Sequence, residues 1–372
     1  MKHSEKLIVL TIQSYEKAHK IQSLLMNEGV ETVLQNTAAI EPFMPYGVKV
    51  RVKAKDKDRA MEILQTQGGD ILNGESDKAE NNGNRILVPV DFSDYSARAC
   101  HFAFHIARKS NATVTLLHAY FNPFFPGTFP DSDTFGSEVG QEEAMKELQA
   151  RIQYQSDKFV NQLKNDILLG DIPAVEFKMS IYEGIPEEEI SRWAKHYKPQ
   201  LIIMGTRGKD QKEIDLIGSV TAEVIDTSPV PVFAIPENTN VKTVEDIHRV
   251  AFVTNFDQRD LLGFDKLMHL HGFNNAAVSF IWLANKKNMP TDKKMGTIRA
   301  YFQEKYPTLE ATYGVIDEEM LLKDTDQFIK ENGIDVLVLT THNRNIFARL
   351  FNPSIAHKVV FHTDTPLLVI RN

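Results

Sequence analysis

The residues best suited to chemistry lie in one stretch, Leu201–Val220, which reads LIIMGTRGKDQKEIDLIGSV. An apolar run ends at Met204, Gly205 and Gly208 follow, and nine residues then separate Gly208 from Gly218 and Ser219. Glycine lets a ligand approach the backbone closely, and amides in a loop or at a helix start suit an anion. Ser219 adds a hydroxyl at such a start, and Arg207 and Lys209 add positive charge. The chemistry these residues offer is the holding of phosphates. A second group, Pro89-Val90-Asp91, closes another apolar run. Asp91 offers a hydrogen-bond acceptor at the end of that run.

Both groups need strands to carry them. Ile86–Val90, Thr113–Ala119, Val175–Ile181, Leu201–Met204 and Val230–Ile235 read as strands. Helical patterns fall between them at Tyr95–Arg108, Glu142–Leu168, from Pro186 to about His196, and from Val220 to Ile225. Such alternation predicts a doubly wound α/β parallel sheet, Rossmann-like, with right-handed crossovers. In it Asp91 and Gly205 both stand at strand carboxyl ends, where open α/β sheets bind ligands. The stretch Tyr120–Gly140, rich in Phe, Pro and Gly, reads as a long arm.

The order repeats. Shifting the chain by 164 pairs Asp91 with Asn255 and His118 with Trp282, and shifting by 135 pairs Met204 with Leu339 and Ser219 with Ser354. The shorter second offset places the loss at the arm. The second copy reads as Val250–Val253, a helix, Ala277–Leu283, a strand near Ala311–Ile316, a helix, Val336–Leu339, a helix and Leu367–Ile370. There Thr340, Asn343 and Pro353 replace the three glycines, and Val253 and Asn255 replace Pro89 and Asp91. A side chain at each glycine position blocks close approach and Pro353 removes an amide donor, so this copy is expected not to bind nucleotide in the same way.

Before the repeats, Leu7–Thr11, Tyr15–Asn27, Val30–Leu34, Val48–Val52 and Asp56–Leu64 alternate strand and helix signals, as a small ferredoxin-like α+β domain would. The expected domains are 1–70, a linker at 71–84, a first repeat at 85–238, a linker at 239–248 and a second repeat at 249–372. The first resembles the small signal-transducing domains that precede other modules in bacteria.

The 372 residues exceed a single core, and 42% hydrophobic with 25% charged residues is ordinary for a globular chain. A net charge of -8 argues against nucleic acid and against an anionic membrane surface as partners. The single cysteine, Cys100, excludes an internal disulfide framework and lies on an apolar helix face, which suits a buried, inert thiol. The opening apolar run is too short for a secretory signal and no segment reaches membrane length, so a cytoplasmic protein is expected.

The spacing Gly205-x2-Gly208-x9-Gly218-Ser219, with ILVPVDFS at Ile86–Ser93, resembles the universal stress protein family in its ATP-binding branch. The resemblance covers 85–236 well and 249–372 more weakly. It implies that the glycine loop wraps the phosphates of ATP, with or without Mg²⁺, and that Pro89, Val90, Asp91, Ala119, Met204, Gly205, Arg207, Gly208, Lys209, Gly218, Ser219 and Val220 line the site. It implies no enzymatic reaction beyond slow or absent ATP hydrolysis. It also implies intramolecular pairing of the repeats or a homodimer through the last strands.

Other readings stay open. Glycines after strands often only make turns, Arg207 and Lys209 suit a solvated loop, and His118 suits a strand-end core residue better than a catalytic base. The chain has no GxxxxGK[ST], HExxH, GxSxG or cysteine-rich metal spacing. A weak ATPase or adenylyl-transferring enzyme on the same fold is the alternative function, and a ligand-free dimerisation module is another.

Overall fold

The computed structural model describes residues 7–13, 15–36, 48–66, 84–121, 138–206, 219–284, 289–317, 321–340 and 364–371. They fall in two compact units: residues 1–82, 119–155 and 181–186 make one, and 83–118, 156–180 and 187–372 make the other.

In the first unit, residues 7–66 form β1 (Leu7–Gln13), α1 (Tyr15–Asn27), β2 (Thr32–Asn36), β3 (Val48–Lys53) and α2 (Lys57–Thr66). The sheet is antiparallel in the order β1-β3-β2. Helical spacing turns Ala18, Ile21 and Leu25 of α1 and Ala60, Ile63 and Leu64 of α2 onto one face of the sheet. Val50 and Val52 meet them from β3, whose intervening residue Arg51 faces away. This is the expected ferredoxin-like α+β arrangement, with no fourth strand among the described residues.

The second unit is organised on a ten-stranded sheet in the order β11-β10-β9-β12-β13-β8-β7-β4-β5-β6. The first repeat supplies β4 (Arg85–Pro89), α3 (Asp94–Ser110), β5 (Thr113–Tyr120), α4 (Glu138–Leu169), β6 (Phe177–Glu183), α5 (Pro186–Tyr197), β7 (Leu201–Gly205), α6 (Ser219–Thr227) and β8 (Val232–Ile235). The second supplies β9 (Arg249–Thr254), α7 (Gln258–His269), β10 (Ala277–Ala284), α8 (Asp292–Lys305), β11 (Ala311–Asp317), α9 (Leu321–Asn332), β12 (Val336–Thr340) and β13 (Leu367–Ile370). The central strands of each repeat pair in parallel and are continuous buried apolar runs, as strands covered on both faces must be.

The repeats meet where β8 pairs antiparallel with β13, Leu368 opposite Phe233. Phe233 is fully buried between Phe102 of α3, centroids 5.1 Å apart, and Phe273 of the second repeat, 5.7 Å apart. One apolar cluster therefore runs through both repeats. The reading from sequence omitted α8. Phe302 is its only fully buried residue and Gly296 interrupts it, so it shows little apolar stripe. The helix expected before Leu367 and most of the expected arm, 122–137, lie outside the described residues.

Phe233→Ala is expected to lower stability by about 3–5 kcal/mol in urea unfolding, because it empties a site packed from both repeats.

Candidate functional site

The first repeat reverses its strand order at β4. From it the chain moves outward to β5 and β6 on one side, and returns to β7 and β8 on the other. Such a reversal is where open α/β sheets bind ligands, beyond the carboxyl ends of the strands that flank it. Ile86 pairs with Leu201 and Leu87 with Ile202, and the same register carried onward sets Val90 level with Gly205.

The wall on the β4 side is a tight turn. Asp91 Oδ1 accepts from the amide of Ser93 at 3.1 Å and from its hydroxyl, and Ser93 Oγ caps α3 by accepting from the amide of Ser96. Phe92 between them takes a left-handed φ of 63°, a conformation that costs a bulky residue energy. Its ring packs at a tilt against His118, centroids 4.3 Å apart, and meets the edge of Phe159 of α4 at 5.7 Å. His118 donates from Nδ1 to the Val90 carbonyl at 2.8 Å, which fixes its tautomer because a carbonyl only accepts. Burial holds its pKa below the ordinary 6.5, so the ring is neutral at neutral pH. The amide of Val90 is held by Leu117 O at 2.9 Å. With His118 on its carbonyl, Val90 keeps one acceptor lone pair for a base.

On the β7 side, Met204 and Gly205 are buried. A Cβ on Gly205 would come within 3.1–3.3 Å of Tyr95 Cβ, C and O, so this glycine lets the first turn of α3 rest on the strand end. Its missing side chain serves helix–strand packing. Thr221 donates its hydroxyl to the Gly205 carbonyl at 2.9 Å, and Thr206 N donates to Ile235 O. These contacts pin the start of α6, where Ser219 is exposed and Val220 half-buried. Val90, Asp91, Met204, Gly205, Ser219 and Val220 are thus placed at the two strand ends and the helix they lead to, with Pro89 closing β4. Ala119 follows His118 on β5. Arg207, Gly208, Lys209 and Gly218 lie outside the described residues. Sequence reasoning missed Thr221 and Tyr95; a threonine in the first turn after a glycine loop was the available signal.

The second repeat fills the same place differently. Asp260 of α7, 1% exposed, accepts from Thr254 Oγ1 at 2.9 Å, from Asn255 N at 2.7 Å and from Thr340 Oγ1. The carboxylate joins the ends of β9 and β12, the two strands at this repeat's own reversal. Several donors are what a buried carboxylate requires. By the repeat offsets Asp260 stands where the first repeat has Ser96, and Thr340 where it has Gly205. The turn itself is preserved: Phe256 has a φ of 55°, Asp257 caps α7, and Trp282 takes the place of His118, 5.3 Å from Phe256.

Elsewhere, Cys100 is fully buried and burial pushes its thiol pKa up, as expected of an inert side chain. Among the described residues no cluster of His, Cys, Asp and Glu could hold a metal ion, and no helix is long and apolar enough to cross a membrane.

Comparison with known proteins places this geometry in a family. The sequence model of the universal stress protein family matches residues 83–236. A universal stress protein of Methanocaldococcus jannaschii is 30% identical over 166 residues, which are 44% of this chain and 89% of the relative. The crystal structure of a universal stress protein from Archaeoglobus fulgidus covers 78% of this chain and 96% of its own, at a TM-score of 0.50 and 14% identity, a likeness of fold. Another universal stress protein, solved in complex with cAMP, is 24% identical and covers 42% of this chain and 98% of its own, at a TM-score of 0.29. The chain belongs to the universal stress protein family.

Proposed function

We propose that the first repeat binds ATP, with Mg²⁺, and that the protein acts as a nucleotide-dependent stress-response or signalling protein. The observation that carries this reading is the contrast between equivalent positions. In the second repeat the buried carboxylate of Asp260 joins the two strand ends, whereas Ser96, in its place in the first, hydrogen-bonds to Ser93 instead. The first crevice keeps its glycines and the exposed helix start at Ser219; the second holds an anion of its own.

The roles follow from the chemistry of each group. Asp91 accepts from the adenine amino group or a ribose hydroxyl, and Val90 and Ala119 frame the base. Backbone amides at Gly208 and Gly218 approach the phosphates, Gly205 seats α3 on the strand end beside them, Ser219 and Val220 meet them at the positive end of α6, and Arg207 and Lys209 offset their charge. Mg²⁺ would neutralise the remaining phosphate charge. In the second repeat the Asp260 carboxylate repels an anion at the corresponding place, and no nucleotide binds there. The domain division proposed with this reading is 1–70, 85–238 and 249–372, joined by linkers. Any switch must rest on different affinities of ATP for two arrangements of the chain.

Calorimetry on the full chain tests this. The wild type is expected to bind ATP and Gly208→Val to bind at least about tenfold more weakly, a loss of about 1.4 kcal/mol; absence of binding by the wild type would sink the proposal. Turnover of ATP above the buffer rate, lost on changing Asp91 or Ser219, would favour an enzyme. Asp260→Ala should cost about 2–4 kcal/mol in urea unfolding, because it strands three donors, yet leave the affinity of the first crevice for ATP unchanged.

A further inference from the structure

Helix α6 sets the phosphate end of the proposed site, so whatever holds α6 bears on binding. At its start Thr221 ties it to the Gly205 carbonyl. Its other end lacks a suitable charge of its own. The helix has no basic residue in its last turn, which carries Asp226 instead. A carboxylate is the wrong sign beside the carbonyl end of a helix, where the dipole is negative and the last carbonyls want donors.

The missing cation comes from the second repeat. Arg371, the residue after β13, donates from Nη1 to the carbonyl of Asp226 at 3.0 Å and to that of Ser228 at 3.1 Å. Its own carbonyl accepts from Lys266 Nζ of α7 at 2.6 Å. The chain is thus tied on both sides of its contact with α6: β13 is paired to β8, and Lys266 holds the backbone that carries the guanidinium. One cation satisfies orphan carbonyls and complements the dipole whose positive end faces the crevice.

We propose that Arg371 is a positioning residue for the nucleotide site of the first repeat, and that the second repeat, which binds no nucleotide, serves that site by clamping α6. The proposal rests on the reading that the first turn of α6 meets phosphate. It gives the second repeat a task that a free-standing first repeat would leave undone.

The test uses the full chain and two variants. Arg371→Met keeps the apolar stem and removes the donors; Arg371→Lys keeps the charge without the planar fork. ATP affinity by calorimetry, well below the melting temperature, should fall about three- to tenfold in Arg371→Met and recover in part in Arg371→Lys. Amide exchange over residues 219–228 in nucleotide-free protein should quicken in Arg371→Met. If the wild type binds ATP and Arg371→Met binds equally well, the clamp is overturned and the site stands. If the wild type does not bind, both fall. Should Arg371→Met not fold, Arg371→Lys against wild type gives the same comparison, with a smaller loss expected and equal affinity as the contrary result.

Discussion

The antiparallel ladder between β8 and β13 is the constraint on which the larger unit depends. Each repeat is a parallel half-sheet with a short, fully apolar last strand, and such a strand left at an edge would expose both its backbone and its side chains. Pairing Val232–Ala234 with Leu367–Val369 removes both exposures together. Because the pairing is antiparallel, the strands of the two repeats run in opposite directions. The carboxyl ends of β4 and β7 therefore lie on one margin of the sheet, and those of β9 and β12 on the other. The same junction brings Phe273 onto Phe233 and sets Arg371 beside the end of α6.

Within that frame the repeats use one turn for two ends. Both follow their first strand with a phenylalanine in left-handed conformation, packed at a tilt against a ring of the next strand, His118 or Trp282. The difference lies in what reaches the strand ends. A glycine at 205 lets α3 settle directly on β7, with Ser96 turned to its own cap. A threonine at 340 and an aspartate at 260 instead build a buried polar bridge. A carboxylate with several donors is well solvated by the protein, and it makes that place unfavourable for a second anion.

Much of the fold was legible because the signals are local. Apolar runs such as Ile86–Val88 and Leu201–Met204 mark strands covered on both faces, and the offsets of 164 and 135 disclose the duplication without any structure. What was not legible depends on residues far apart. Asp260 meets Thr340 across 80 positions and Arg371 meets Asp226 across 145, and neither pairing leaves a spacing to read. The α8 helix was hidden because its burial falls on Phe302 alone. Gly205 shows the limit most clearly. Sequence assigns its open side to a ligand, while in the fold the space a Cβ would need is taken by the backbone of Tyr95. A glycine that packs a helix and one that admits a phosphate look alike until the neighbours are known.

The central claim is that one of two crevices related by duplication binds nucleotide. Counting ATP bound per chain, by native mass spectrometry of the full-length protein titrated with Mg²⁺ and ATP, tests it most directly. The account predicts a plateau at one nucleotide per chain. A plateau at two would contradict the closed second crevice, and no bound nucleotide at any concentration would contradict the open first.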